Sequence, residues 1–324
     1  MKVVVTGGAG YIGAHVARAL AEAGHTPIIV DDLRCATRDR VGDFAYEAVA
    51  CEDTAALADV FRRHRPDGVV HLAGYISVGE SVRDPDKYWN NNLGAAASLL
   101  VVCARHPVEA VLFSSTAAVY GNAAVSPIPE HVPLAPTSPY GAAKLGFERL
   151  LHAAAPTAGF RSAALRYFNA AGANPAWRVG EAHTPEEHLI PRVIDALLAG
   201  RAVQVYGDDY PTPDGTCERD YSHVTDLADA HVRVLAARDL PSGASFNVGT
   251  GRGTSVLRVI DAVGRRLQRA PVLDVLPRRP GDPASLVADP AALRVALGWE
   301  ARHSELEEIV DSAADWELAR RGQH

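Results

Sequence analysis

The chain has 324 residues, 48% of them hydrophobic and 22% charged, with 32 lysines and arginines against 39 acids for a formal net charge of −7. That length exceeds what one hydrophobic core accommodates, so a large domain with a smaller one beside it is expected. The acidic balance and the lack of a basic run argue against a nucleic-acid surface, no apolar run reaches bilayer length, and four cysteines without a CxxC pair point to reduced thiols.

Residues 2–6 read as a short buried strand, followed directly by a turn with Gly7, Gly10 and Gly13 and then by helical apolar spacing over 14–20. Strand, glycine turn and helix start together form an anion site, where glycines let the backbone approach a pyrophosphate and free N–H groups receive it. A second strand over 26–30 ends at Asp31 and Asp32, the distance at which an acid meets an adenosine ribose, which favours NAD over NADP. Further strand-like runs cover 44–49, 68–72, 110–113 and 162–166, with helix-like segments over 54–63 and 90–104 between them. Such alternation predicts an α/β fold with a doubly wound parallel sheet, whose ligands lie beyond the carboxyl ends of the strands. Gly7, Asp31, Ala73, Gly74, Ser114, Thr116, Tyr167 and Asn169 all fall at such ends. Beyond Asn174 the pattern loosens. The expected division is a nucleotide-binding domain over 1–174 and a substrate lobe over 175–324, with a strand near 244–249 returning to the sheet.

Ser138 and Pro139 supply an N-cap and a first helical residue, and the helix they start puts Tyr140 and Lys144 one turn apart on one face. A free tyrosine titrates near pH ~10, so proton transfer near neutrality needs a shift of roughly 3 units, about 4 kcal/mol in favour of the phenolate. A neighbouring ammonium is one source of that shift. Thr116, at a strand end on the same rim, is placed to share a proton with phenol and substrate. No acid accompanies it in Ala117-Ala118-Val119-Tyr120, which disfavours eliminating water from a keto sugar. The 13 histidines show neither HExxH nor Cys/His spacing, so no metal is expected, and residues 186–188 read as a loop or helix start.

With these motifs the chain resembles the extended short-chain dehydrogenase/reductase family, and within it the UDP-sugar 4-epimerases. The resemblance rests on Thr6 to Gly13, His71 to Gly74, Val78 to Val82, Arg166 to Asn169, Tyr206 to Thr216, Arg219 to Val224 and Asp226 to Asp229, of which residues 206–224 are the most specific. It implies a Rossmann-type fold, NAD as cofactor and interconversion of UDP-glucose and UDP-galactose through a transient 4-keto sugar. Tyr140 would be the base, assisted by Thr116, and Lys144 would hold the nicotinamide ribose and acidify the phenol. By the same likeness the cofactor would meet Gly7, Gly10, Tyr11, Ile12 and Gly13, then Asp31, Asp32, Leu72, Ala73 and Gly74, and finally Asn92, Ser114 and Tyr167. The UDP-sugar would meet Thr116, Asn169, His188, Leu189, Gln204 and Tyr206, together with Arg219, Arg279, Asp282 and Leu286. Leucine at 286 leaves UDP-N-acetylglucosamine as second choice, and a dehydratase ranks lower. A homodimer through the helices near 90–104 and 140–153 is also implied, as is a cytoplasmic enzyme.

Several positions depart from the family pattern. Ala50 stands where an acid would meet the adenine, Ile76 where a lysine is usual, and Asp32, Cys35 and Ala36 replace Asn, Asn and Ser in the adenosine loop. Glu52 or Asp53 could take over the lost adenine contact. Each missing hydrogen bond costs on the order of 1 kcal/mol, so weaker NAD retention than is usual for the family is expected.

Overall fold

The computed structural model describes residues 1–279 and 281–322. In the first half β1 (Lys2–Thr6) turns into α1 (Tyr11–Glu22), followed by β2 (Thr26–Val30), β3 (Ala45–Glu47), α2 (Thr54–His64) and β4 (Gly68–His71). Then come α3 (Val78–Arg83), α4 (Pro85–Tyr88), a π-helical stretch over Trp89–Ala95, α5 (Ala96–Arg105), β5 (Ala110–Thr116), α6 (Pro139–Ala158) and β6 (Arg161–Tyr167). The second half begins with β7 (Asn169–Ala171), α7 (Leu189–Leu198), β8 (Val203–Tyr206), β9 (Glu218–Arg219) and β10 (Tyr221–His223). It continues through α8 (Val224–Ala236), β11 (Ala244–Val248), β12 (Thr254–Ser255), α9 (Val256–Leu267), β13 (Leu273–Leu276), β14 (Ser285–Leu286), α10 (Ala291–Leu297) and α11 (Leu306–Gly322).

The main sheet has seven strands in the order β11-β6-β5-β4-β1-β2-β3, all parallel. Central strands read as unbroken apolar runs because helices cover both faces; every residue of β4 and β5 is buried. The order reverses between β1 and β4, which opens a crevice at the carboxyl ends of the strands. Register aligns those ends into one rim, with Thr6 beside Val30 and His71, His71 beside Phe113, and Thr116 beside Tyr167.

One face of the sheet buries Val16, Leu20, Leu227, Val234 and Trp299 from α1, α8 and the segment after α10. The opposite face buries Leu57, Phe61, Leu99, Phe147 and Leu151 from α2, α5 and α6. A separate core joins α7, α9 and α11 through Ile190, Ile194, Val259, Val263 and Ile309. Because α8, β11 and Trp299 belong to the sheet core, position 174 does not divide two cores. The chain crosses between them.

Two elements differ from expectation. β3 has three residues rather than six, and the helix expected over 90–104 opens with a π-helical segment. The wider turn brings Asn92 under the loop after β4, where its amide accepts from Tyr75 N at 2.8 Å and donates to Tyr75 O at 2.7 Å.

Candidate active site

The glycine turn is packed too closely for any side chain. Gly7 has φ +68°, and a Cβ there would lie 2.6 Å from the Ala73 backbone N; a Cβ on Gly13 would lie 2.1 Å from Gly7 O. The first helical N–H groups of α1 have no side-chain cap, so they point into the crevice as donors. At the end of β2, Asp31 accepts from Ala9 N at 3.0 Å and Leu33 N at 2.8 Å, which ties the acid to the glycine turn. Burial raises its pKa and these backbone donors oppose the rise.

These groups line a cavity of about 180 Å³. Among the expected cofactor residues, Gly7, Gly10, Tyr11, Ile12, Gly13, Asp31, Asp32, Leu72, Ala73, Gly74, Ser114, Tyr140, Lys144 and Tyr167 lie on its wall. Asn92 does not, because both ends of its amide are spent on Tyr75. Of the two acids considered as replacements at Ala50, Asp53 caps α2 by accepting from Ala56 N, and Glu52 is paired with Arg34 at 2.6 Å. A glycine cradle with an acid at the next strand end and a buried lysine at the far end fits a dinucleotide.

Ser138 caps α6 through Gly141 N and Pro139 follows at the first position, which starts the helix at the rim as the sequence predicts. Tyr140 and Lys144 are both buried. Lys144 Nζ donates to the Ser114 carbonyl at 2.9 Å and lies 6.0 Å from the centre of the Tyr140 ring. Burial raises the Tyr140 pKa, and the Thr116 hydroxyl pulls it down. In the protein without cofactor, burial is the larger of these two influences on Tyr140. Burial also brings Lys144 down to about 8, against the attraction of Glu148. The Ser114 hydroxyl meets the Tyr167 hydroxyl behind them.

Glu148, one turn beyond Lys144, is outside the motifs read from the sequence. Its carboxylate accepts from Arg166 Nε at 3.0 Å and Nη2 at 2.6 Å and from the Ser115 hydroxyl, and Arg166 Nη1 reaches Tyr120 Oη at 3.0 Å. The pair is almost wholly enclosed and locks α6 to β5 and β6. An i,i+4 reading of α6 extended from Lys144 would have flagged it.

A second cavity of about 790 Å³ lies beside the first, and Tyr11 and His183 line both. Asn169, His188, Leu189, Gln204, Tyr206, Arg219, Arg279 and Asp282 all line it. Arg219 is fixed by Asp282 at 2.5 Å and by the Pro283 carbonyl at 3.0 Å, while the Arg279 guanidinium stacks 3.9 Å from the centre of the Tyr206 ring. Two of the expected substrate residues stand off this wall. Thr116 caps the short turn after β5 through Ala118 N, and Leu286 packs into the cluster of Val119, Tyr120, Ile128 and Leu145.

Histidines do cluster here, contrary to expectation: Glu181, His183, Glu186 and His188 bring possible ligand atoms within 4.8 Å of one another. His183 Nδ1 meets Glu181 at 2.5 Å and His188 Nδ1 meets Glu186 at 2.7 Å. Burial lowers the His188 pKa, but the hydrogen bond to Glu186 and the charge of Glu181 leave it raised. The larger cavity thus carries, at His188, an imidazole whose pKa stands above its ordinary value.

Known sequences and solved structures are similar to this chain over nearly their whole length. The UDP-glucose 4-epimerase of Azospirillum brasilense is 46% identical over 322 residues, 98% of this chain and 92% of that protein. The crystal structure of UDP-glucose 4-epimerase from Brucella ovis in complex with NAD superposes with a TM-score of 0.94 at 42% identity, covering 97% of each chain. That of the Bifidobacterium longum UDP-glucose 4-epimerase in complex with NAD+ and UDP gives a TM-score of 0.93 at 36% identity, covering 100% of each. Residues 3–249 match the profile of the NAD dependent epimerase/dehydratase family. The chain belongs to the NAD dependent epimerase/dehydratase family.

Proposed function

We propose that the protein interconverts UDP-glucose and UDP-galactose by inverting the sugar C4. The observation that carries this reading is the Tyr140 phenol, beside Thr116 on the wall of a dinucleotide-shaped cavity, opening toward an arginine-lined cavity through the shared residues Tyr11 and His183. Tyr140 takes the proton of the sugar 4-hydroxyl, and Thr116 shares it through the hydroxyl contact. NAD, when bound, supplies the acceptor and donor of the C4 hydride and a positively charged ring that favours the phenolate. Lys144 holds the ribose side of that site and Asp31 the adenosine ribose. Arg219 and Arg279 offer planar donor forks to the diphosphate, so the nucleotide stays anchored while the 4-keto sugar turns over. A cavity of about 790 Å³ leaves room for that rotation. With the hydride returned to C4 on its other face, Tyr140 gives the proton back to the 4-oxygen, with no net redox change.

The exposed Val101 on α5 and Leu150 on α6 support a homodimer through these helices. Four free cysteines support a cytoplasmic setting, and no helix among the described residues is long and apolar enough to cross a membrane. The test is incubation of the purified protein with a panel of UDP-sugars, N-acetylated ones included, with and without added NAD, followed by NMR of the anomeric protons. The expected result is equilibration of UDP-glucose with UDP-galactose. Turnover of the N-acetylated pair alone, or a stoichiometric loss of water, overturns the assignment.

A further inference from the structure

We infer that Arg34 is a cofactor-retaining residue, a strap across the adenosine end of the smaller cavity. The inference rests on NAD being the cofactor of the proposed reaction. Arg34 leaves the loop after β2 and lines the cavity together with Asp32, Cys51, Glu52, Tyr75 and Ile76. Its Nη2 meets Asp32 Oδ2 at 2.7 Å on its own loop and Glu52 Oε1 at 2.6 Å on the loop before α2. One guanidinium therefore joins two walls between which an adenosine would lie. The hydrogen bond to Glu52 and a contact with Tyr75 hold it fully charged. Tyr75 is itself clamped by Asn92 from the π-helical segment, and its ring receives the Lys87 ammonium at 3.9 Å from the centre.

The chemistry suits an aromatic base beside an anion. A guanidinium has five N–H donors in a plane, and the two carboxylates engage Nη2, so donors remain for the adenosine beside the contact with Tyr75. A carboxylate can accept from the amino group of the base but cannot donate to its ring nitrogens or attract the neighbouring phosphates, which the guanidinium does. The Arg34 side chain is 39% exposed and that of Glu52 48%, so the bridge breaks readily to let a cofactor pass and closes again behind it.

The experiment measures NAD binding directly on protein stripped of cofactor, by calorimetry and by the rise in melting temperature that NAD produces. Arg34→Ala is expected to raise the Kd for NAD about tenfold. Glu52→Gln breaks the bridge while keeping the guanidinium and is expected to raise the Kd roughly threefold, with Arg34→Lys in between. An Arg34→Ala protein that binds NAD within about twofold of the parent overturns the inference, as does a Glu52→Gln protein indistinguishable from the parent. Because NAD binding is read without any sugar, absence of epimerase turnover leaves this test intact.

Discussion

On the wall of the smaller cavity, Tyr140, Lys144 and Ser114 stand at the end of a sheet whose neighbouring strands fix one another, behind which Glu148 and Arg166 close a buried network. Across the shared boundary, Arg219 comes from the two-residue strand β9, Arg279 from a loop and His188 from the residue before α7. The first wall is over-determined by the core, and the second is assembled from segments that meet only at their ends. A change in the first should therefore disturb chemistry and folding together, whereas a change in the second should register in substrate affinity alone.

The largest effect expected is on the first wall. Tyr140→Phe should lower kcat by about 10²–10⁴-fold while leaving the KM for the UDP-sugar near its parent value, as steady-state kinetics would show. Equal loss in kcat and affinity would break the contrast. Glu148→Ala comes next: it leaves Arg166 buried without its partner, so denaturant unfolding should show a loss of about 3–5 kcal/mol. A loss under about 1 kcal/mol would mean that the network does not lock α6.

Lys144 sharpens the comparison through pH. Its folded pKa, about 8, lies below the ordinary 10.5, so the charged form is disfavoured in the folded protein. Below pH 8 both states hold the proton and the penalty is complete; between 8 and 10.5 the unfolded chain holds more protons, so stability rises with pH. Lys144→Met should exceed the parent in unfolding free energy by on the order of 3 kcal/mol at pH 7, and the gap should shrink toward pH 10.5. A gap constant over that range would contradict the burial argument.

The smallest effects belong to the second wall. Arg219→Ala should raise the KM for the UDP-sugar by about 10–100-fold, as expected for lost charge-assisted hydrogen bonds, with a melting temperature close to the parent's. Arg279→Ala, exposed and stacked on Tyr206, should cost less, roughly 3–10-fold. Substantial destabilisation by either would show that these loops are part of a core after all.

What the sequence determined is what neighbouring residues determine for one another. Glycines at 7, 10 and 13, an acid at the end of the next strand, and a capped helix carrying Tyr140 and Lys144 each state a local geometry, and the parallel sheet follows from strand and helix alternation. Tertiary structure alone decided which of those groups share a wall. It turned Asn92 onto Tyr75, sent Leu286 into the Tyr120 cluster, spent Glu52 on Arg34, and gave α8 to the first core although it lies beyond residue 174. It also set the burial of Tyr140, which raises the phenol's pKa, because burial is a property of the packed chain rather than of any spacing along it.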